Sequence, residues 1–154
     1  MTEEKPWYDT VFIPALLRHA RTTYGGAMRR ALIEAGYDDI PGNGLYVIGS
    51  LALEGFPLGQ VIRQLNVSKQ AGGQLVDVLV LRGYLERAVD PEDRRKLTVT
   101  LTERGHAAAA IQRAAREKID AELLARVGAE ALSHTRRALG ALIEMGRQEE
   151  AEPD

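Results

Sequence analysis

Between Phe56 and Gly105 the chain reads FPLGQVIRQLNVSKQAGGQLVDVLVLRGYLERAVDPEDRRKLTVTLTERG, and few folds accommodate that succession of patterns. Leu58, Val61, Ile62 and Leu65 follow the i, i+3, i+4, i+7 spacing of a short amphipathic helix. Pro57 suits its first turn, where a missing N–H is no loss. Asn66 and Val67 make a break, and Ser68 is a good N-cap for a second helix. That helix is predicted to bury Ala71, Leu75, Val78 and Leu79. Its outer face starts with Lys69, Gln70, Gly73 and Gln74. Two helices joined by so tight a turn form a helix-turn-helix, whose second member can lie in the major groove of double-stranded DNA. The run GGQLVDVLVLRG would also fit a glycine turn followed by a buried parallel strand, but the chain lacks the other strands such a sheet needs.

A hairpin follows. Gly83 can end the second helix in the left-handed conformation. Tyr84 to Val89 is predicted as one strand, and Leu97, Val99 and Leu101 alternate with Thr98, Thr100 and Thr102 in another. The turn between them, DPEDRRK, is tipped by Arg94, Arg95 and Lys96. A basic hairpin tip beside a groove-reading helix is a wing. Arg95 is the first candidate for a minor groove, whose negative potential attracts arginine. Arg94 and Lys96 would then contact phosphates. Asp93 is expected to hold Arg95 through a carboxylate–guanidinium pair, and Asp90 to support the turn in a similar way. On the helix, Ser68, Lys69, Gln70, Gly73 and Gln74 are the candidates for base readout: Gln pairs bidentately with adenine, and Lys reaches guanine or a phosphate. Taken singly, each set reads equally as a solvated polar face; their adjacency favours DNA. Thr102 can cap a long helix that follows.

The run G-Y-L-E-R-x-x-D-P-E-D-R-R-x-x-x-x-x-L-T-E-R-G, from Gly83 to Gly105, resembles the signature of MarR-type winged-helix transcriptional regulators. The likeness extends more loosely over about residues 10–148. It implies an α+β, mostly α fold: a winged helix-turn-helix lobe over about 38–101, with dimerisation helices at about 10–36 and 102–148. It also implies a homodimer on a pseudo-palindromic operator, often relieved by a small aromatic or anionic effector. Such a molecule would sit between the dimer helices and the DNA lobe, where Arg18, His19, Tyr24 and Tyr46 could line the space; each of the four also reads as core or interface packing. The chain departs from the family at Gly72, Gly73, Gln74 and Val78, where larger or basic residues are common. It has no cysteine, so disulfides, zinc–thiolate sites and the thiol oxidant sensing of some relatives are excluded.

The remaining sequence fits that outline. A helical apolar stripe runs from near Thr10 through Leu16, Leu17, Tyr24, Met28 and Leu32, interrupted by Gly25 and Gly26 and ended by Gly36. A shorter helix spans Leu45 to Leu53, stopped by Gly55. After the wing, a helix-rich segment breaks at Gly128, and Ala131 to Met145 forms the last helix, with Leu132, Leu139, Leu142 and Ile143 as its apolar set. The ends are predicted to be an arm over residues 1–9, anchored by Trp7 and Tyr8, and a frayed acidic tail from Gly146. Three amphipathic helices at the chain ends carry more apolar surface than one small lobe can cover, which calls for a second copy.

The chain's 154 residues suit one domain. Its net charge of −2 does not advertise a nucleic-acid binder, but residues 63–104 hold eight Lys or Arg against six Asp or Glu, between acidic flanks. No signal peptide or membrane-spanning run is visible, so a cytoplasmic protein is expected. His19, His106 and His134 lack metal-ligand spacing, and Gly42-x-Gly44-x-x-x-x-Gly49 lacks the strand a phosphate loop needs. No catalytic constellation stands out, and neither metal nor cofactor is expected. Two rivals remain: a winged-helix protein-interaction module, and a small-molecule-binding or catalytic domain unrelated to DNA.

Overall fold

The computed structural model describes residues 5–53 and 57–151. The stop expected at Gly55 and the start of the motif at Phe56 lie outside the described residues. In chain order the elements are α1 (Ile13–Glu34), α2 (Gly44–Leu51), α3 (Leu58–Gln64), α4 (Lys69–Leu81), β1 (Leu85–Val89), β2 (Leu97–Leu101) and α5 (Glu103–Ala151). The chain divides into two compact units, Met1–Arg116 and Glu117–Asp154. None of the described helices is long and apolar enough to cross a membrane.

The first unit has one hydrophobic core. Leu45, Val47 and Ile48 of α2, Val61 of α3, Val76 and Leu79 of α4, and Leu85 and Leu101 of the strands converge in it. Helices read from the sequence as lying outside the winged-helix lobe also reach it: α1 adds Met28 and Leu32, and the first turns of α5 add Ala108 and Ala109. Gln112, one turn further along α5, is fully buried. Gly25 does not interrupt α1. A Cβ there would stand 2.7 Å from the Tyr46 hydroxyl oxygen, so the glycine leaves room for that phenol against α1.

The helix-turn-helix forms as its spacing predicts, with two adjustments. Asn66 turns the chain with φ 53°, a left-handed conformation that a short polar side chain tolerates. The buried face of α4 is rotated from the predicted one: Gly72, Val76 and Leu79 are buried, whereas Ala71 is exposed. Gly72 explains the shift, because a Cβ there would lie 2.4 Å from Ile62 Cγ2, and only a bare backbone lets α3 and α4 approach so closely. The parallel-strand alternative for this segment is overturned, since Lys69–Leu81 is helical throughout.

Gly83 adopts φ 78° and closes α4. Its N–H donates to the Val80 carbonyl and that of Tyr84 to the Leu79 carbonyl, at 3.0 and 2.9 Å, the paired bonds of a Schellman motif. β1 and β2 then pair antiparallel, with Leu85 opposite Leu101, Arg87 opposite Val99 and Val89 opposite Leu97. Tyr84, predicted in the strand, precedes it as a fully buried core residue. The expected apolar face of β2 is covered only in part: Leu101 is buried, but Leu97 is 69% exposed as the hairpin leaves the core.

At the N-terminus, Trp7–Thr10 forms a 3-10 turn. Trp7 and Tyr8 are exposed and meet each other edge to face at 5.7 Å instead of anchoring the arm. The second unit is helical and breaks at Gly128 (φ 82°, ψ 164°), where the sequence places the break. The tail expected to fray from Gly146 stays helical to Ala151. Leu124, Val127, Leu142, Ile143 and Met145 are exposed in this unit.

Candidate nucleic-acid interface

Ser68 caps α4 by accepting the Ala71 N–H at 3.1 Å. Lys69, Gln70, Gly73 and Gln74 follow on its exposed side. The helix therefore carries polar groups outward from its N-terminal half while its other side is fixed in the core. These are the residues the sequence marked for base readout, and the fold brings them together on one element.

The wing turn is held by backbone bonds. The Asp90 N–H donates to the Lys96 carbonyl, and the Lys96 N–H to the Asp93 carbonyl, both at 2.9 Å. Both carboxylates act within the turn: Asp90 accepts the Glu92 N–H at 2.9 Å and Asp93 the Arg95 N–H at 3.0 Å. The expected Asp93–Arg95 carboxylate–guanidinium pair is thus corrected to a carboxylate–amide bond. Two-residue reach to a following N–H is the ordinary geometry of an Asp in a turn. Arg94, Arg95 and Lys96 are all exposed at the tip.

An open cleft of about 700 Å³ lies between α4, from Lys69 to Asp77, and the strands of the wing. Leu58 and Ile62 of α3, Val76 of α4, and Leu97 and Val99 of β2 form its apolar surface, and Arg63, Lys69, Asp77 and Arg87 are its charged groups. Arg87 of β1 makes an ion pair with Asp77 of α4.

By the C-terminal end of α4 lies a polar cluster that sequence reasoning missed. The Tyr84 hydroxyl donates to the Asp39 carboxylate. Arg104 Nη2 donates to Asp39 Oδ1 at 3.1 Å and to the Tyr84 hydroxyl at 3.0 Å, with its guanidinium 4.6 Å from the Tyr84 ring centroid. Arg82, at the end of α4, donates to the Asp39 carbonyl, and Arg29 of α1 to the Gly42 carbonyl at 2.9 Å. The loop between α1 and α2 is thereby tied to three helices. The Tyr84 hydrogen bond, aided by Arg104, holds the Asp39 carboxyl below its ordinary range. Burial, reinforced by Asp39, pushes the Tyr84 phenol up. Arg104 is raised as well, chiefly through its bond to the Tyr84 hydroxyl.

The four effector candidates are only partly brought together. Tyr24 of α1 and Tyr46 of α2 are half-buried, with the Arg21 guanidinium 4.2 Å over the Tyr46 ring. Arg18 and His19 are exposed further along α1. None of the four lines the cleft beside the wing. Among the described residues no group of three or more His, Cys, Asp or Glu could hold a metal ion.

Residues 38–96 match the family model described as "MarR family". A sequence search of curated proteins finds no match. Among solved structures, the chain is similar to the S. aureus MepR–DNA complex, with a TM-score of 0.66, 16% identity, and coverage of 88% of this chain and 98% of that one. Wild-type MarR from E. coli in its apo form gives 0.62 and 20%, covering 86% and 97%. The transcriptional regulator Tm0710 from Thermotoga maritima gives 0.55 and 23%, covering 91% and 97%. Residues 38–96 thus match the MarR family model, and the chain has the fold of the MarR-type winged-helix regulators.

Proposed function

We propose that the protein is a transcriptional regulator that binds operator DNA as a homodimer, in the cytoplasm, and represses by blocking polymerase. The observation that carries this reading is the pairing, within one compact unit, of an outward polar helix led by Ser68 with a hairpin whose exposed tip is Arg94, Arg95 and Lys96. Ser68, Lys69, Gln70, Gly73 and Gln74 read bases or adjoining phosphates, and Arg95 enters the minor groove. Two such lobes would meet successive major grooves roughly 34 Å apart on one side of a pseudo-palindromic site. The apolar side chains exposed at both chain ends, including Phe12, Ile13, Leu142 and Ile143, support a second copy as their cover. That MepR is solved as a DNA complex agrees with this reading.

A small aromatic or anionic effector would bind between the dimer helices and the DNA lobe, with Tyr24 and Tyr46 against its ring and Arg18 and His19 toward its charge. It would act by favouring a spacing of the two lobes that does not match the duplex.

A gel-shift against the DNA upstream of the protein's own gene tests the central claim. A specific shift that disappears in Arg95→Ala supports it. Leu81, 86% exposed on α4, favours a second reading, a protein-interaction module; a dimer that shifts no DNA at low salt would decide for that module.

A further inference from the structure

α4 and the wing meet unevenly. Near the C-terminal end of the helix the contact is core, with Leu79 and Tyr84 fully buried and Leu85 almost so. Over the preceding turns the cleft intervenes, with Lys69, Gly72, Gly73, Val76 and Asp77 on the helix side and Leu97 and Val99 on the hairpin side. A Cβ on Gly73 would meet nothing within 4 Å, so that side of the helix is left unfilled. Across the gap, Arg87 of β1 reaches the Asp77 carboxylate of α4. Among the described residues this is the ion pair that joins the reading helix to the hairpin.

The side chains of Arg87 and Asp77 are 42% and 67% exposed, and so open a pair adds little to global stability. Its geometry has two other effects. It ties the hairpin to the helix at the point where the packed end gives way to the cleft. It also engages a guanidinium that would otherwise be available to phosphate, and sets a carboxylate on the same helix as Gln70 and Gln74. We propose that Asp77 and Arg87 are positioning residues: their pair latches the wing to the reading helix and keeps the Arg87 charge off the DNA backbone. Helix and wing then engage one sequence register together, and non-specific binding is held down. This rests on the DNA-binding reading above, and the two can fail separately.

The latch is tested first without DNA, by hydrogen exchange in Asp77→Asn. Amides of residues 85–89 and 97–101 are expected to exchange about two- to fivefold faster, with α1 unchanged, and Arg87→Lys, which can still pair, should stay near wild type. Unchanged hairpin exchange in Asp77→Asn would overturn the latch whether or not the protein binds DNA. The second arm measures affinity for random duplex against salt. Asp77→Asn frees a cation, so the slope of log K against log salt should steepen by about one, and preference for the operator should narrow. Arg87→Gln should leave the slope unchanged. A slope shallower by about one in Arg87→Gln would make Arg87 a phosphate contact and end the proposal. A wild type that shows the latch but binds no duplex would retain the positioning role and refute the DNA reading alone.

Discussion

The Tyr84 hydroxyl, fully buried, donates to the Asp39 carboxylate, and Arg104 closes the arrangement from α5. Three segments are joined by one phenol: the loop before α2, the end of α4 and the start of α5. Replacing Tyr84 by Phe keeps the ring and its packing but removes the donor. The expected cost is about 1–2 kcal/mol, the range for a hydrogen bond to a partly exposed charged group. Urea unfolding should show a lower midpoint with an unchanged m-value.

The same cluster sets a pH window. Asp39 has its folded pKa depressed below the ordinary aspartate value. Its contribution is therefore complete above that value and is lost as pH falls through the folded pKa. Tyr84 is raised above 10.0, so its contribution is complete below that value and is lost as pH rises through the folded pKa. Asp39→Asn should be less stable than wild type at neutral pH, and the gap should shrink as the solution is acidified past the carboxylate range. Thermal unfolding of both proteins across acid pH checks this; a constant gap would contradict it.

Neighbouring glycines should respond with opposite signs. Gly72→Ala drives a methyl to within 2.4 Å of Ile62 Cγ2, an overpacking expected to cost about 1–3 kcal/mol. Gly73→Ala meets open space and removes a helix-interior glycine, a change worth up to about 1 kcal/mol in the stabilising direction. Denaturant midpoints of the two variants, measured without DNA, separate them.

On the proposed interface, Gln74→Ala should relax base preference, whereas Lys96→Ala should weaken all sequences alike and reduce the salt slope by about one. Competition binding with operator and random duplex distinguishes the two. Identical effects from both substitutions would contradict the roles assigned to helix and tip.

The local devices were legible because they are written in neighbouring residues. Ser68 as a cap, Gly83 as a helix stop, the alternation from Leu97 to Thr102 and the break at Gly128 each depend on a few consecutive positions. The buried face of α4 was less so. Ala71 and Gly72 differ by one step of the helix, and spacing alone does not reveal that Ile62 needs the smaller of the two. Asp93-x-Arg95 fits an ion pair and a turn bond equally well on paper; the backbone amide is simply nearer. The Asp39–Tyr84–Arg104 cluster was hidden by distance, since Asp39 lies 45 residues from Tyr84 and 65 from Arg104. Nothing in the pattern around any one of them names the other two.

The seam at Gly105 has a mechanical consequence. A Cβ there would fall 2.2 Å from the Tyr84 carbonyl oxygen, and that oxygen also accepts the Thr102 N–H at 3.1 Å. The root of the hairpin and the first turn of α5 are thus wedged together without slack. A tilt of that turn is thereby passed to the base of the hairpin.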